Sequence, residues 1–168
     1  AVVAAMALGT TSAFATNGSA LIGTGAKARG MGGVSIGMSH GAESGIANPA
    51  LITSVEGTEV SFGGTLFMPN VKTTMSNPMG GDQPTETSDA DMSMIPAVSI
   101  ANKVNDNFYW GVGMWGTAGM GVDFRDAETS ATNSGNMQMV TNLQLMQFGV
   151  PLAYKIAGFS IGITPLLQ

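Results

Sequence analysis

The stretch Asn105–Thr117 reads NDNFYWGVGMWGT, and its pattern decides the fold. A short polar triplet comes first, and large apolar residues then stand at every second position. Alternation with a period of two predicts a β-strand with two unlike faces. The apolar face carries Phe108, Trp110, Val112 and Met114, and the other face carries Tyr109, Gly111, Gly113 and Trp115.

The same period returns in other parts of the chain. It runs through Thr58–Lys72, Met94–Lys103 and Phe159–Thr164. On this basis we expect one face to contact lipid and the other to face a lumen or plug. The lipid-facing set is Val60, Phe62, Leu66, Val98, Ile100, Val112 and Met114, and the inward set is Ser61, Thr65, Ser99, Gly111 and Gly113.

A further segment, Met139–Tyr154, is apolar on both phases. Leu143 and Leu145 occupy the odd phase, whereas Phe148 and Val150 occupy the even phase. A regular strand cannot bury both sets on one side. The sequence therefore predicts a bulge or a change of environment near Met146, and about five strands in all.

The connections between these strands alternate in length. Thr73–Met92 and Asp123–Asn136 are long and polar, whereas Asn105–Asn107 and Ile156–Gly158 are short. Long outer loops and tight periplasmic turns are typical of transmembrane β-barrels. Strands of about ten residues also suit a tilted crossing of the bilayer.

Composition favours a membrane barrel over a soluble antiparallel sandwich, whose strands also alternate. Only 10% of the 168 residues are charged, against about 25% in typical soluble domains. Aromatic residues cluster at strand ends and predict a periplasmic-side girdle of Phe108, Tyr109, Trp110 and Tyr154. We therefore expect an all-β fold, the N-terminal part of an antiparallel transmembrane β-barrel, because about five strands are fewer than the roughly eight needed for closure.

The first residues predict export. Residues 1–15 contain an apolar run followed by Ala13-Phe14-Ala15, which resembles a signal-peptide cleavage site. A basic leader and an initiator Met are absent, so we expect a signal peptide that is truncated at its start. The mature protein would begin at Thr16.

Residues 16–53 are rich in Gly, Ala and Ser and end on the motif Asn48-Pro49-Ala50. A segment of such small residues cannot build its own core, so we expect it to use the interior of the barrel. Pro49 would give a rigid corner where the segment turns into the first strand. The barrel strands would follow in residues 54–168.

Several classes of site are disfavoured. The chain has no Cys and one His, which argues against a transition-metal centre, and its residues form no catalytic constellation. We therefore expect no enzyme activity, cofactor or metal. A net charge of −5 without a basic cluster argues against nucleic acid as a partner. A solvated loop is favoured over a cation site for Asp82, Glu86, Asp89 and Asp91.

Four stretches together resemble the FadL-type outer-membrane transport family. They are Gly25–Gly33, Asn48–Thr53, Phe67–Val71 and Asn105–Gly113. The resemblance implies a barrel plugged by a small N-terminal hatch, here residues 16–53. It also implies location in the outer membrane of a Gram-negative bacterium.

The same resemblance implies passive uptake of hydrophobic small molecules such as long-chain fatty acids or hydrocarbons. In the family a kinked third strand opens a lateral exit beside the hatch motif. Here Asn48-Pro49-Ala50 would lie against Trp115–Gly121, where Gly116, Gly119 and Gly121 would permit the kink. Alternatively, these glycines merely suit a crowded lumen.

The expected partners are a hydrophobic ligand, outer-membrane lipid and the barrel assembly machinery, and we expect a monomer. An adhesin or porin-like surface barrel without a specific ligand is the alternative function. A soluble periplasmic lipid-binding protein is a more distant one.

Overall fold

The computed structural model describes residues 20–74, 85–130, 133–136 and 138–168. The predicted signal peptide, residues 1–15, lies outside them. The N-terminal helical elements are α1 (Ala26–Gly30), a 3-10 turn (Gly41–Glu43), α2 (Ser44–Ala47) and a second 3-10 turn (Pro49–Ser54). The strands are β1 (Thr58–Phe67), β2 (Lys72–Thr74), β3 (Thr85–Thr87), β4 (Ser93–Lys103), β5 (Phe108–Phe124), β6 (Glu128–Ser130), β7 (Asn133–Asn136), β8 (Met139–Gly149), β9 (Leu152–Ile156), β10 (Phe159–Ile163) and β11 (Leu166–Leu167).

The main sheet is an antiparallel meander of five chain crossings. β1 pairs with β4, and β4 pairs with β5. β8 and β9 both pair with β5 in one continuous register, from Gly113–Gly149 to Phe108–Tyr154, and so form a single crossing. β10 and β11 pair with this crossing in the same way. The five predicted strands are therefore confirmed.

Proline explains why two crossings are divided into shorter strands. Pro151 stands between β8 and β9, and Pro165 stands between β10 and β11. Proline has no N–H to donate to a ladder. The chain nevertheless stays paired, because Gly111 N donates to Pro151 O at 2.8 Å and Val150 N donates to Pro165 O at 3.3 Å.

The two faces of the sheet differ as predicted. Residues 20–54, here called the hatch segment, cover one face, which we call the inner face. Ser61, Ser99, Gly111 and Gly113 are buried there, whereas Phe62 on the outer face is 86% exposed. The other predicted lipid-facing residues share that outer face through the register pairs Val60–Ile100, Ile100–Val112, Val98–Met114 and Leu66–Met94.

The prediction for one aromatic residue was wrong. Tyr109 does not belong to an outward girdle, because it is only 3% exposed on the inner face. It packs in the core cluster with Ala42, Ile52, Val55, Ala101 and Ala153. Successive side chains of a strand point to opposite faces, so Tyr109 points inward whereas its neighbours Phe108 and Trp110 point outward.

The connections also follow the prediction in part. Both short turns are present, and the one between β9 and β10 places Ala157 and Gly158 at positive φ (48° and 85°), as two-residue hairpins require. The long connections are more structured than expected. They contain the hairpins β2–β3 and β6–β7. Among the described residues, none of the helices is long and apolar enough to cross a membrane.

Candidate functional site

The β4–β5 ladder ends before either strand does. Its last pair is Ala97–Trp115, although β4 starts at Ser93 and β5 continues to Phe124. The next pair would be Pro96–Gly116, and Pro96 lacks the N–H that the ladder needs. Its carbonyl oxygen faces β5, 3.4 Å from where a Cβ on Gly116 would stand. We call the unpaired stretch between residues 93–96 of β4 and 116–119 of β5 the gap. Past it the chain that leads into β4 meets β5 again, because Asp89 N donates to Asp123 O and Asp123 N donates to Ser88 Oγ, both at 2.9 Å.

A β-bulge lies at the same level on the opposite edge of β5. The β5–β8 register shifts between Gly116 and Ala118, which pair with Met146 and Leu145. Thr117 is therefore the extra residue. The irregularity predicted near Met146 is present at this level, but the insertion is in β5 rather than in the strand that contains Met146.

The bulge explains the two apolar phases of β8. Gln147 pairs with the inward Trp115, and Phe148 pairs with the outward Met114. Because β8 itself is regular, Leu143 and Leu145 share the inner face with Gln147. The two apolar sets thus meet different surroundings: one faces outward, and the other faces the space inside the sheet.

The three predicted glycines have different surroundings. A Cβ on Gly116 would collide with Ile95 Cγ2, so this position needs a glycine. Gly119 and Gly121 remain paired with Gln144 and Asn142 of β8. They do not interrupt that ladder; the pairing is lost on the β4 side instead.

The N-terminal end of the hatch segment occupies the edge of β5 that β4 leaves. Leu21 N donates to Thr117 O at 3.1 Å, and Ala20 forms an antiparallel bridge with Ala118. The chain thereby satisfies a backbone acceptor of the bulge.

The predicted place of Asn48-Pro49-Ala50 was wrong. Ala50 N lies 2.5 Å from where a Cβ on Gly162 would stand, so the motif packs on β10. Gly162 pairs with Ala153, and Ala153 pairs with Tyr109, which lies about 20 Å along β5 from Trp115 at roughly 3.4 Å per residue. The motif is therefore remote from the gap.

Hydrogen bonds hold the Asn48-Pro49-Ala50 corner. Asn48 Oδ1 accepts from Ala50 N at 3.2 Å, and Asn48 Nδ2 donates to Ile36 O at 2.8 Å. Thr53 Oγ1 donates to Ala50 O at 2.8 Å and lies 2.9 Å from Ser160 Oγ of β10. The motif thus forms a rigid joint between the hatch segment and the sheet.

A cavity of about 880 Å³ adjoins the gap. The described residues that line it come from the hatch segment, the end of β1, β4 with the residues just before it, and the ends of β5 and β8 beyond the bulge. Its lining is mainly apolar and includes Leu21, Ile22, Met94, Ile95, Met120 and Leu143. Its volume lies within the range of about 300–1,000 Å³ that is common for small-molecule sites.

In the described part of the chain, three ionisable residues also line the cavity. Arg125 Nη2 and Asp123 Oδ2 are 2.6 Å apart, and this hydrogen bond raises the pKa of Arg125 above its ordinary value. The third, Arg29 on α1, is not in an ion pair with any described residue. Its Nε and Nη1 atoms are buried without a hydrogen-bond partner.

A polar network joins the hatch segment to β1. Ser61 Oγ donates to Glu43 Oε1 at 2.7 Å, and Lys27 N donates to Glu43 Oε2 at 3.2 Å. Lys27 Nζ also contacts Glu59 Oε1 at 3.3 Å. Glu43 is almost fully buried, so it is the central anchor of this network.

Metal binding finds no geometric support in the described ranges. Nowhere in them do three His, Asp or Glu side chains gather. Asp82, one of the loop carboxylates considered from the sequence, lies outside these ranges.

Sequence reasoning missed three features of this site. Pro96 was visible as a proline inside an alternating strand, which predicts a broken ladder. Arg29 was visible as an isolated cation in an apolar segment. No local signal pointed to the pairing of Ala20–Leu21 with β5, because strand partners are set by the fold.

The chain is similar to known transport proteins. It is 26% identical over 109 residues to the long-chain fatty acid transport proteins of Escherichia coli (strain K12), Shigella flexneri and Escherichia coli O157:H7. The match covers 65% of this chain and 23% of each relative. The chain thus spans about a quarter of the length of the relatives it matches.

The family comparison covers the whole chain and agrees with the antiparallel sheet. All of residues 1–168 match the family described as "Outer membrane protein transport protein (OMPP1/FadL/TodX)". Its members are outer-membrane proteins of Gram-negative bacteria and are transporters rather than enzymes. The chain therefore belongs to the OMPP1/FadL/TodX family of outer-membrane transport proteins, and its fold is the N-terminal part of their antiparallel β-barrel.

Proposed function

We propose that the protein takes up hydrophobic small molecules passively across the outer membrane and releases them sideways through the gap between β4 and β5. The observation that carries this proposal is the apolar cavity beside a strand pair that parts at Pro96 and Gly116. A hydrophobic ligand in the cavity could leave through the gap in the sheet instead of crossing an aqueous lumen.

The ligand class is part of the same proposal. The matched relatives are named long-chain fatty acid transport proteins, and the cavity lining is mainly apolar. Methionine side chains such as Met94 and Met120 adapt to irregular apolar ligands. Long-chain fatty acids and hydrocarbons are therefore the substrates we propose.

The hatch segment would act as the movable part. It closes the inner face through short helices and turns, and its small residues bury little apolar area each. An element with modest docking energy is shifted easily by a ligand that binds one arrangement better. We propose that Ala20–Leu21 leaves the edge of β5 when a ligand passes.

The outward face supports lipid as the surrounding partner. Phe62, Ile161 and Phe159 are at least 73% exposed on the sheet, which is the arrangement expected of a lipid-facing wall. We further propose that the barrel assembly machinery inserts the protein as a monomer.

The test is uptake by proteoliposomes that contain the full-length protein. We expect palmitate and a long-chain hydrocarbon to enter faster than into protein-free vesicles, whereas a small polar solute stays excluded. If the protein accelerated entry of the polar solute as much as entry of palmitate, it would be a general pore, and the proposal would be contradicted.

A further inference from the structure

Arg29 lies at the level where β4 and β5 part. It is on α1, whose first residue, Ala26, has its Cβ 3.6 Å from where a Cβ on Gly63 would stand. Gly63 pairs with Ala97, and Ala97 pairs with Trp115 in the last pair of the β4–β5 ladder. The short helix thus brings a cation to the inner rim of the gap.

The guanidinium of Arg29 lacks a counter-charge among the described residues. Two other carboxylates are engaged elsewhere: Glu43 of the hatch segment accepts from Ser61 and Lys27, and Glu59 of β1 pairs with Lys27. Among the described residues that line the same cavity, Asp123 is the one carboxylate, and Arg125 holds it in an ion pair.

An unpaired charge beside apolar walls is costly. Desolvating an ion costs several kcal/mol unless an opposite charge and hydrogen bonds compensate. Arg29 nonetheless lines the cavity with Nε and Nη1 buried and unpartnered in the described part of the chain. A carboxylate accepts two parallel N–H bonds from one edge of a guanidinium, either Nε with Nη2 or Nη1 with Nη2, so an anion on either edge of Arg29 would satisfy one of these two donors.

We propose that Arg29 binds the carboxylate of amphiphilic ligands while their hydrocarbon chains occupy the apolar cavity. This inference rests on the proposed function and adds to it a head-group site, and with it a preference for hydrophobic acids over neutral hydrophobes. Leu21, Ile22 and Met120 line the same cavity and supply contacts for the chain. Since Arg29 belongs to the hatch segment, the charged head group would be engaged by the part of the protein that moves.

The test compares two ligands of equal chain length that differ in charge. Binding of palmitate and of methyl palmitate is measured on the full-length protein in detergent, for wild type and Arg29→Gln. Loss of a charge-assisted hydrogen bond predicts that palmitate binds about 10- to 100-fold more weakly, while methyl palmitate is unchanged within about twofold. Arg29→Lys keeps the charge but lacks the planar guanidinium, so its affinity for palmitate should lie between that of wild type and that of Arg29→Gln.

Lys155→Gln is the matched control, because it removes the same charge from an exposed strand position outside the cavity. It should leave the ratio of the two affinities as in wild type. Equal weakening of both ligands by Arg29→Gln, or no change in either, would overturn the head-group site while uptake still stands. Failure of wild type to bind either ligand would instead defeat the proposed function, and this inference with it.

Discussion

The carbonyl oxygen of Pro96 lies 3.4 Å from the position that a Cβ atom would occupy on Gly116, so the two strands still touch where their ladder ends. A side chain at Gly116 would collide with Ile95, and Pro96 has no N–H to continue the pairing. Beyond this point β5 pairs with β8 on one edge, and on the other edge it contacts Ala20–Leu21 and then Ser88–Asp89. The gap therefore has its cause in Pro96 of β4, whereas the missing side chain of Gly116 lets the two strands stay in contact at the edge of the gap.

Ala20 and Ala118 form an antiparallel bridge, so a disulfide between these two positions can crosslink the hatch segment to β5 reversibly. Antiparallel partners lie about 4.5–5.5 Å apart at Cα, which suits a disulfide, and the chain has no other Cys. We expect Ala20→Cys/Ala118→Cys to slow uptake of palmitate when oxidised and to recover it after reduction. Each single Cys variant is the control. Equal uptake in both redox states would show that the N-terminal end of the hatch segment need not move.

Trp115 covers two glycines that face each other across β5 and β8. A Cβ on Gly113 would collide with the indole ring, and one on Gly149 would lie 3.0 Å from it. We expect Gly113→Ala to lower the free energy of unfolding by about 1–3 kcal/mol and Trp115→Ala to lower it by about 3–5 kcal/mol.

The double variant distinguishes a clash from a general loss of order. In Gly113→Ala/Trp115→Ala the clash is gone, so the two effects should be clearly less than additive in urea unfolding of the full-length protein. Gly63→Ala is the matched control, since its Cβ would make an ordinary 3.6 Å contact with Ala26. Strict additivity of the two changes would contradict the packing seen around Trp115.

The outward face can be tested with a charge. Val112 is exposed on that face, whereas Gly63 faces the hatch segment. We expect Val112→Arg to cost about 2–4 kcal/mol if it lies near the bilayer midplane and to reduce heat-modifiable protein in the outer membrane. Gly63→Ser should assemble almost normally. Similar yields of the two variants would argue that the outward face is not in contact with lipid.

We expect Glu43 to contribute more than Glu59 to the free energy that holds the hatch segment on the sheet. Glu43→Ala leaves the donors on Ser61 and Lys27 without their acceptor, which costs about 1–3 kcal/mol when such groups are buried. We expect faster leakage of a small polar solute through the full-length protein in vesicles.

Glu59→Ala provides the comparison, because it removes only a partly exposed ion pair with Lys27, worth at most about 1 kcal/mol. Its leakage should stay near that of wild type. Leakage that is as fast with Glu59→Ala as with Glu43→Ala would show that the buried carboxylate is not the main anchor.

What the sequence by itself determined is the part of the fold that depends on local periodicity. Alternation along Phe108–Trp115 defines a strand and separates its two faces, because side chains of successive residues point to opposite sides. The positions of the short turns follow from the same reasoning, since Asn105–Asn107 and Ala157-Gly158 interrupt the period with turn-forming residues. Composition and the four family-like stretches then indicated the outer membrane.

Only the tertiary structure decided where the wall opens and what lies beside the opening. The missing N–H of Pro96 ends the ladder with β5 because Pro96 faces that strand in the folded sheet. Thr117 is an extra residue only relative to its partner strand β8, so the register has to be known to identify it. The hatch segment has no core of its own, so its contacts come from the sheet on which it docks. For this reason Ala20–Leu21 reaches the gap, whereas Asn48-Pro49-Ala50, the more recognisable motif, packs on β10 at the other end of the sheet.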